Sequence, residues 1–171
     1  MAEMTEMKDL LKHELGDLLY AERRFLTATR HLAKEARTPM LQKRIEQHVT
    51  ETESQIERLG RAFEAIGEKA KAEKCEAAIG LREEHDSFKQ EEKPSKEVLE
   101  AFDLGSGLRV EHYEIAAYRS AIAVARALGE EECASILRES LAEEEDMANF
   151  LETNAPQLLE QLLARTEGAG V

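Results

Sequence analysis

"LRVEHYEIAAY", residues 108–118, is the stretch on which the fold turns. Leu108, Ile115 and Tyr118 recur at the three- and four-residue spacing of one helix face, yet Glu111 and Glu114 fall on the same side. Two carboxylates among core positions need an explanation, because an unpaired buried charge is very costly.

The surrounding composition sets the frame. With 171 residues, 35% of them charged, 3 prolines and no tryptophan, the usage is that of an all-helical protein with one sizeable core. A net charge of −13 argues against nucleic acid, which needs a basic face, and against an anionic membrane surface. No apolar run approaches the ~20 residues that span a bilayer. "MAEMTEMKDL" is polar and acidic, so no secretory signal is expected there. Cys75 and Cys133 stand far apart with no C-x-x-C spacing, which reads as two reduced thiols in a cytoplasmic protein.

Outward from the opening stretch, four long amphipathic helices are expected. The first runs from about Met7 to Ala36, with Leu11, Leu15, Leu18, Phe25 and Leu32 on its stripe. "RTPM" ends it, Thr38 being a natural N-cap and Pro39 suiting a first turn. The second carries Leu41, Ile45, Ile56, Leu59 and Phe63 and stops near Gly67. Residues 67–96 are charged and irregular, with one short helix around Glu76 to Lys89. A connection of that length suggests a crossover instead of a tight antiparallel turn. The third long helix spans about Glu97 to Leu128 and the fourth about Glu131 to Glu152. A short fifth helix is expected from "TNAPQLLEQLLA", Asn154 capping it and Pro156 in its first turn. The expected fold class is therefore all-α: a ferritin-like four-helix bundle of two antiparallel hairpins, a long crossover and a short C-terminal helix. One domain covers residues 1–165, with 166–171 as a disordered tail.

Each long helix then shows an interrupted inner stripe. Glu22 sits among Leu11, Leu15, Leu18 and Phe25. The second helix brings His48, Thr52 and Gln55 inward with Glu51 beside them, the third Glu111 and Glu114, and the fourth Glu144 among Leu137, Leu141 and Leu151. Measured from turns near residues 37 and 129, Glu22, Glu51, Glu114 and Glu144 lie 14 or 15 positions away, at one level of the bundle. Arg23, Arg24, Lys43, Arg44 and Arg138 read as outer or flanking, so a pair of metal ions is the economical compensation. Carboxylates with imidazole suit iron or manganese, and His48 and Glu51, three residues apart, can reach one centre from one helix. His112 reads mainly as facing a neighbouring helix or a partner, and His13, His31 and His85 as solvated or structural. Cys75 reads as packing.

At these residues the chain resembles the YciE/YciF-type family of ferritin-like proteins. The matching segments are "ELGDLLYAERRFLTA", "HVTETESQIERL", "EKCEAAIGL", "RVEHYEIAAY" and "ILRESLAEEEDMANFL", spread from about residue 8 to 153. The resemblance implies a ferritin-like bundle, dimeric in related proteins, with a dinuclear site of mid-helix Glu and His residues, bacterial cytosolic origin and a link to stress responses. The wider ferritin-like pattern has Glu-x-x-His on the second and fourth helices. Here Ser54 follows Glu51 and Met147 follows Glu144 at those positions, while His48 precedes Glu51. By analogy Glu51 and Glu144 would bridge two iron or manganese ions, Glu22 and Glu111 would be terminal, and His48 and Glu114 would complete the set.

Two functions compete on these grounds. One is a redox protein acting on oxygen or peroxide, in which Tyr118 either supplies an electron or is a core tyrosine with a satisfied hydroxyl. The other is a non-enzymatic dimeric stress protein with structural metals, exposed Leu19, Tyr20 and Tyr113 forming its homodimer face. Iron storage would need a closed cage, for which one chain offers no sign.

Overall fold

The computed structural model describes residues 4–168. Five helices follow in order: α1 Met7–Glu35, α2 Pro39–Ala65, α3 Glu76–Glu91, α4 Lys96–Ala127 and α5 Glu131–Gly168. No strand occurs among the described residues. α1 packs on α2 and α4, and α5 packs on α2 and α4, so the four long helices close a ring. α3, inside the crossover, lies against α1 and α4. This is the expected ferritin-like four-helix bundle.

The turns explain where helices stop. Gly67 and Gly129, with φ of 75° and 78°, take the left-handed backbone that follows α2 and α4. The amides of Glu68 and Gly67 bond back to the carbonyls of Phe63 and Glu64, and those of Glu130 and Gly129 to Ala125 and Arg126. Both are Schellman ends, satisfying carbonyls that the helix leaves open. Between α1 and α2 the device differs from expectation. Thr38 occupies the N-cap position and Pro39 the first turn, but the Thr38 side chain makes no capping bond. The buried Glu100 of α4 instead accepts from the amides of Arg37 and Thr38, both at 3.2 Å.

Two further expectations are corrected. The C-terminal helical segment exists, but Asn154 does not begin it, since α5 runs unbroken through Pro156. The Asn154 amide donates to the Phe150 carbonyl one turn back, at 2.7 Å. Pro156 forfeits one backbone bond, and burial of Leu158 and Leu162 along the stripe of Leu151 keeps the helix docked despite that loss. Of the expected tail, residues 166–168 belong to this helix and 169–171 lie outside the described residues. The exposure expected of Leu19, Tyr20 and Tyr113 is the second correction. Leu19 is buried in the core, while Tyr20 and Tyr113 are half-buried and pack, with Leu81 of α3, on Phe25 and Cys75.

Besides the small cluster of Ala21, Phe25, Cys75 and Ala78 beside α3, the interior has two unequal parts. Leu11, Leu15, Leu59, Phe63, Ala121 and Leu137 belong to a large cluster toward the end where α2 and α4 terminate. Leu41, Ile45, Leu104, Met147, Leu151 and Leu158 form a smaller one toward the α1–α2 turn. The carboxylates lie between them.

Candidate metal centre

Helix register alone brings the acidic residues inward. Glu22 continues the α1 stripe of Leu11, Leu15 and Leu18, Glu111 and Glu114 continue that of Leu104 and Ile115 on α4, and Glu144 that of Leu137 and Leu151 on α5. All four are buried, Glu22 and Glu144 completely. Ligand atoms of His48, Glu111 and Glu144 lie within 4.8 Å of one another. His48 Nε2 is 3.5 Å from an oxygen of Glu111 and 3.7 Å from one of Glu144.

Neighbouring side chains hold these groups in place. His48 Nδ1 lies 3.0 Å from Glu51 Oε2. With Nδ1–H donating to that carboxylate, Nε2 keeps its lone pair toward Glu111 and Glu144, the tautomer a metal ligand needs. Gln55 Nε2 donates to Glu144 and, at 3.0 Å, to Glu143, which Arg58 grips with two nitrogens. The Tyr118 hydroxyl, fully buried, donates to Glu22 Oε1. Its hydroxyl is thus satisfied, as expected of a core tyrosine.

Glu51 stands apart from the others. It is half-buried, and its Oε2 is shared between His48 and Arg44, whose Nη1 is 2.9 Å away. Arg44 was expected on an outer face; it is 7% exposed and bridges Glu51 and Asp146. The aliphatic stem of Arg44 follows the α2 stripe while its guanidinium reaches the partly wet rim, which helical spacing alone does not reveal. Burial raises the Glu51 carboxyl, but bonds from His48, Arg44 and Gln47 outweigh it and hold the group at about 2.

The remaining glutamates lack such help. Burial pushes Glu22, Glu111 and Glu114 well above the usual carboxylate range, and repulsion among themselves and from Glu144 pushes further. No Lys or Arg forms an ion pair with Glu22, Glu111, Glu114 or Glu144 among the described residues. One oxygen of each, Glu22 Oε2, Glu111 Oε2, Glu114 Oε1 and Glu144 Oε2, is buried without a hydrogen-bond partner. Unpartnered carboxyl oxygens beside an imidazole nitrogen are the donor set that iron or manganese takes, so the residues present fit the metal.

Comparison with known proteins follows the same outline. Residues 6–164 match the model of a domain of unknown function, DUF892. The chain belongs to that family. It is 35% identical over 142 residues to Protein YciF of Escherichia coli strain K12, covering 82% of this chain and 85% of YciF. The crystal structure of YciF, described as a stress protein, superimposes with a TM-score of 0.84 at 32% identity, covering 92% of this chain and 99% of that one. YcfI of Rhodopseudomonas palustris, provisionally described as a structural protein, gives a TM-score of 0.84 at 36% identity over 88% of this chain and 96% of its own. The YciE/YciF-type resemblance of the sequence is thus the family relationship.

The other histidines are placed away from the centre. His112 is exposed and pairs with Glu152 at 2.9 Å, and His13 and His31 are exposed. His85 is buried and bonds Asp103 at 2.8 Å. Cys75 is buried, caps α3 through Ala78 and touches the Tyr113 hydroxyl at 2.9 Å. No described helix is long and apolar enough to cross a membrane. Sequence reasoning missed the roles of Gln55, Arg44 and Glu143. It also missed Glu100, although one step back along the stripe from Leu104 would have found it.

Proposed function

We propose that this chain is a ferritin-like protein that holds two iron or manganese ions at mid-height and serves a stress response by reducing peroxide or oxygen there. The observation that supports it is the buried triad of His48, Glu111 and Glu144, whose two carboxylates each keep a partnerless oxygen. Glu22, His48, Glu111, Glu114 and Glu144 are the proposed ligands, and Glu51 joins them only by giving up the Arg44 guanidinium. When bound, the metal pair supplies the one-electron chemistry toward oxygen species that side chains lack. Glu51 orients His48, Gln55 steadies Glu144, and the Tyr118 hydroxyl, held well above its usual range by burial and by Glu22, keeps its proton against Glu22. The larger aliphatic cluster closes the side toward the ends of α2 and α4.

Elemental analysis of untagged protein expressed with added iron and manganese tests this. About two ions per chain are expected, as in di-metal bundles of this architecture. Glu144→Gln should lose them, and Glu51→Ala should do so too if Glu51 bridges. Absence of metal under every loading condition would sink the proposal. A second reading keeps the metals but drops turnover. It is favoured by the anchoring of Glu22 and Glu144 through Tyr118 and Gln55, and by the structural description of YcfI. It predicts tight metal, a large rise in Tm and no turnover with peroxide. The proposed homodimer is tested by sedimentation.

A further inference from the structure

A cavity of about 540 Å³ runs beside the smaller core cluster, within the range of small-molecule sites. Its inner end is formed by His48 and Glu111, both buried. Along α4 it extends from Glu111 to Lys96, about 22 Å at the helical rise per residue. Phe25, Leu32, Ile45, Leu104, Val110 and Leu151 give it an apolar wall. Several polar groups of that wall are already engaged, Thr29 with the Phe25 carbonyl, Asp103 with His85, and Glu100 with the amides before α2, while Ser106 adds a hydroxyl.

The rim carries the opposite charge to the molecule. Lys34, Arg37, Arg82, Lys89 and Lys96 line the cavity in a chain whose net charge is −13. Against them stand Glu35, Glu100 and Asp103. Lys89 is paired with Glu35, Arg82 with Asp86 and Arg37 with Glu97. Lys34 and Lys96, both exposed, make no ion pair among the described residues. An elongated apolar chamber with two uncommitted ammonium groups at its outer end selects a molecule with an alkyl body and one anionic head.

We infer that this cavity binds a long-chain carboxylic acid, its head at Lys34 and Lys96 and its alkyl end toward His48 and Glu111. The site goes beyond the metal reading and stands without it, because wall and rim are complete in the chain itself.

The test is a fluorescence titration of the full chain, metal-free and metal-loaded, with dansyl-undecanoic acid. One saturable site per chain is expected, with dodecanoate displacing the probe and dodecanol displacing it poorly. Lys34→Glu with Lys96→Glu should weaken dodecanoate about tenfold and leave dodecanol unchanged. Val110→Trp, which fills the chamber, should weaken the probe at least about tenfold while circular dichroism and metal content stay as in the parent. Ala28→Leu is the second filling variant should Val110→Trp misfold. Absence of saturable binding, or binding indifferent to a folded filling variant, overturns the inference. Equal displacement by dodecanol and dodecanoate overturns the anionic head. Glu144→Gln separates the two readings, since it should lose metal and keep the acid.

Discussion

The two ends of the bundle are built from the same residue types and packed to different standards. Toward the ends of α2 and α4, Leu11, Leu15, Leu59, Phe63 and Tyr118 are each fully buried in one continuous cluster. Toward the α1–α2 turn, Leu41, Ile45, Leu104 and Leu151 form a smaller cluster that borders an open cavity. Close packing is where a core earns its stability, and space is where a molecule can enter. The difference puts dense packing at the first end and room for a molecule at the second, with the carboxylates at their boundary.

Truncating one leucine at each end tests this most strongly. Leu15→Ala removes a fully buried side chain from the dense cluster and should cost about 2–5 kcal/mol. Leu151→Ala enlarges space already present, so its loss should be near the transfer value of about 1.5–3 kcal/mol. Urea denaturation of both variants compares them. Equal losses would mean that the hollow end is as well packed as the dense one.

The boundary gives the next effect. Glu111→Gln removes one of the mutually repelling, unpaired carboxylates. In metal-free protein at neutral pH this should stabilise the fold by about 1–2 kcal/mol, since a carboxyl held well above its usual range by burial costs stability once the pH exceeds its unfolded value. In metal-loaded protein it should destabilise, because the ligand is gone; at a free metal concentration a thousandfold above Kd, binding contributes about 4 kcal/mol. Opposite signs in the two states, read by calorimetry, identify a site that gives up stability for metal. The same sign in both would make the cluster structural.

Much of this was legible in the sequence, and the reason is periodicity. Leu11, Leu15 and Leu18 define a stripe that must face the core, so the intrusion of Glu22 on it could be read without coordinates. The same held for Glu111, Glu114 and Glu144. What could not be read is reach. Arg44 and Glu51 lie beside each other because long side chains fold back across turns, and their contact depends on rotamers instead of register. Asn154 and Pro156 carried a local helix-start signal, which the burial of Leu158 and Leu162 overrode. The cavity left no mark at all, being a property of how four stripes fail to meet.

At the hollow end, His85 supplies a smaller, pH-dependent effect. Its bond to Asp103, first, and the charge of that carboxylate outweigh desolvation and raise its pKa above the usual 6.5. A raised histidine binds its proton more tightly when folded, so its contribution is fully present below about 6.5 and is lost as pH climbs through the folded value. A partly solvated bond of this kind is worth about 1 kcal/mol, or about 2–4 °C in Tm for a chain this long. Asp103→Asn should flatten the Tm profile across that window and leave the acid side lower. An unchanged profile would show that His85 does not hold α3 to α4.

The smallest effect separates the ends by a single methyl group. Gly16 and Gly107 both sit inside helices, where alanine is ordinarily better by about 0.5–1 kcal/mol. At Gly107, on the hollow side, an added Cβ would lie 3.5 Å from Leu151 Cδ1, an ordinary contact, so Gly107→Ala should gain that amount. At Gly16 it would meet the Lys71 carbonyl at 3.0 Å and Glu73 Cγ at 2.7 Å. The Glu73 side chain can swing away, but the Lys71 backbone is tied there by the Glu73 amide bonding the Gly16 carbonyl at 3.0 Å. Gly16→Ala should therefore lose more through displacement of the crossover than helix propensity returns, giving a net cost of about 1 kcal/mol. Proteolysis at the crossover reads the same event, since a lifted loop is cut faster. If Gly16→Ala were as stabilising as Gly107→Ala, the crossover would not be clamped to α1, and the dense end would owe its order to the four long helices alone.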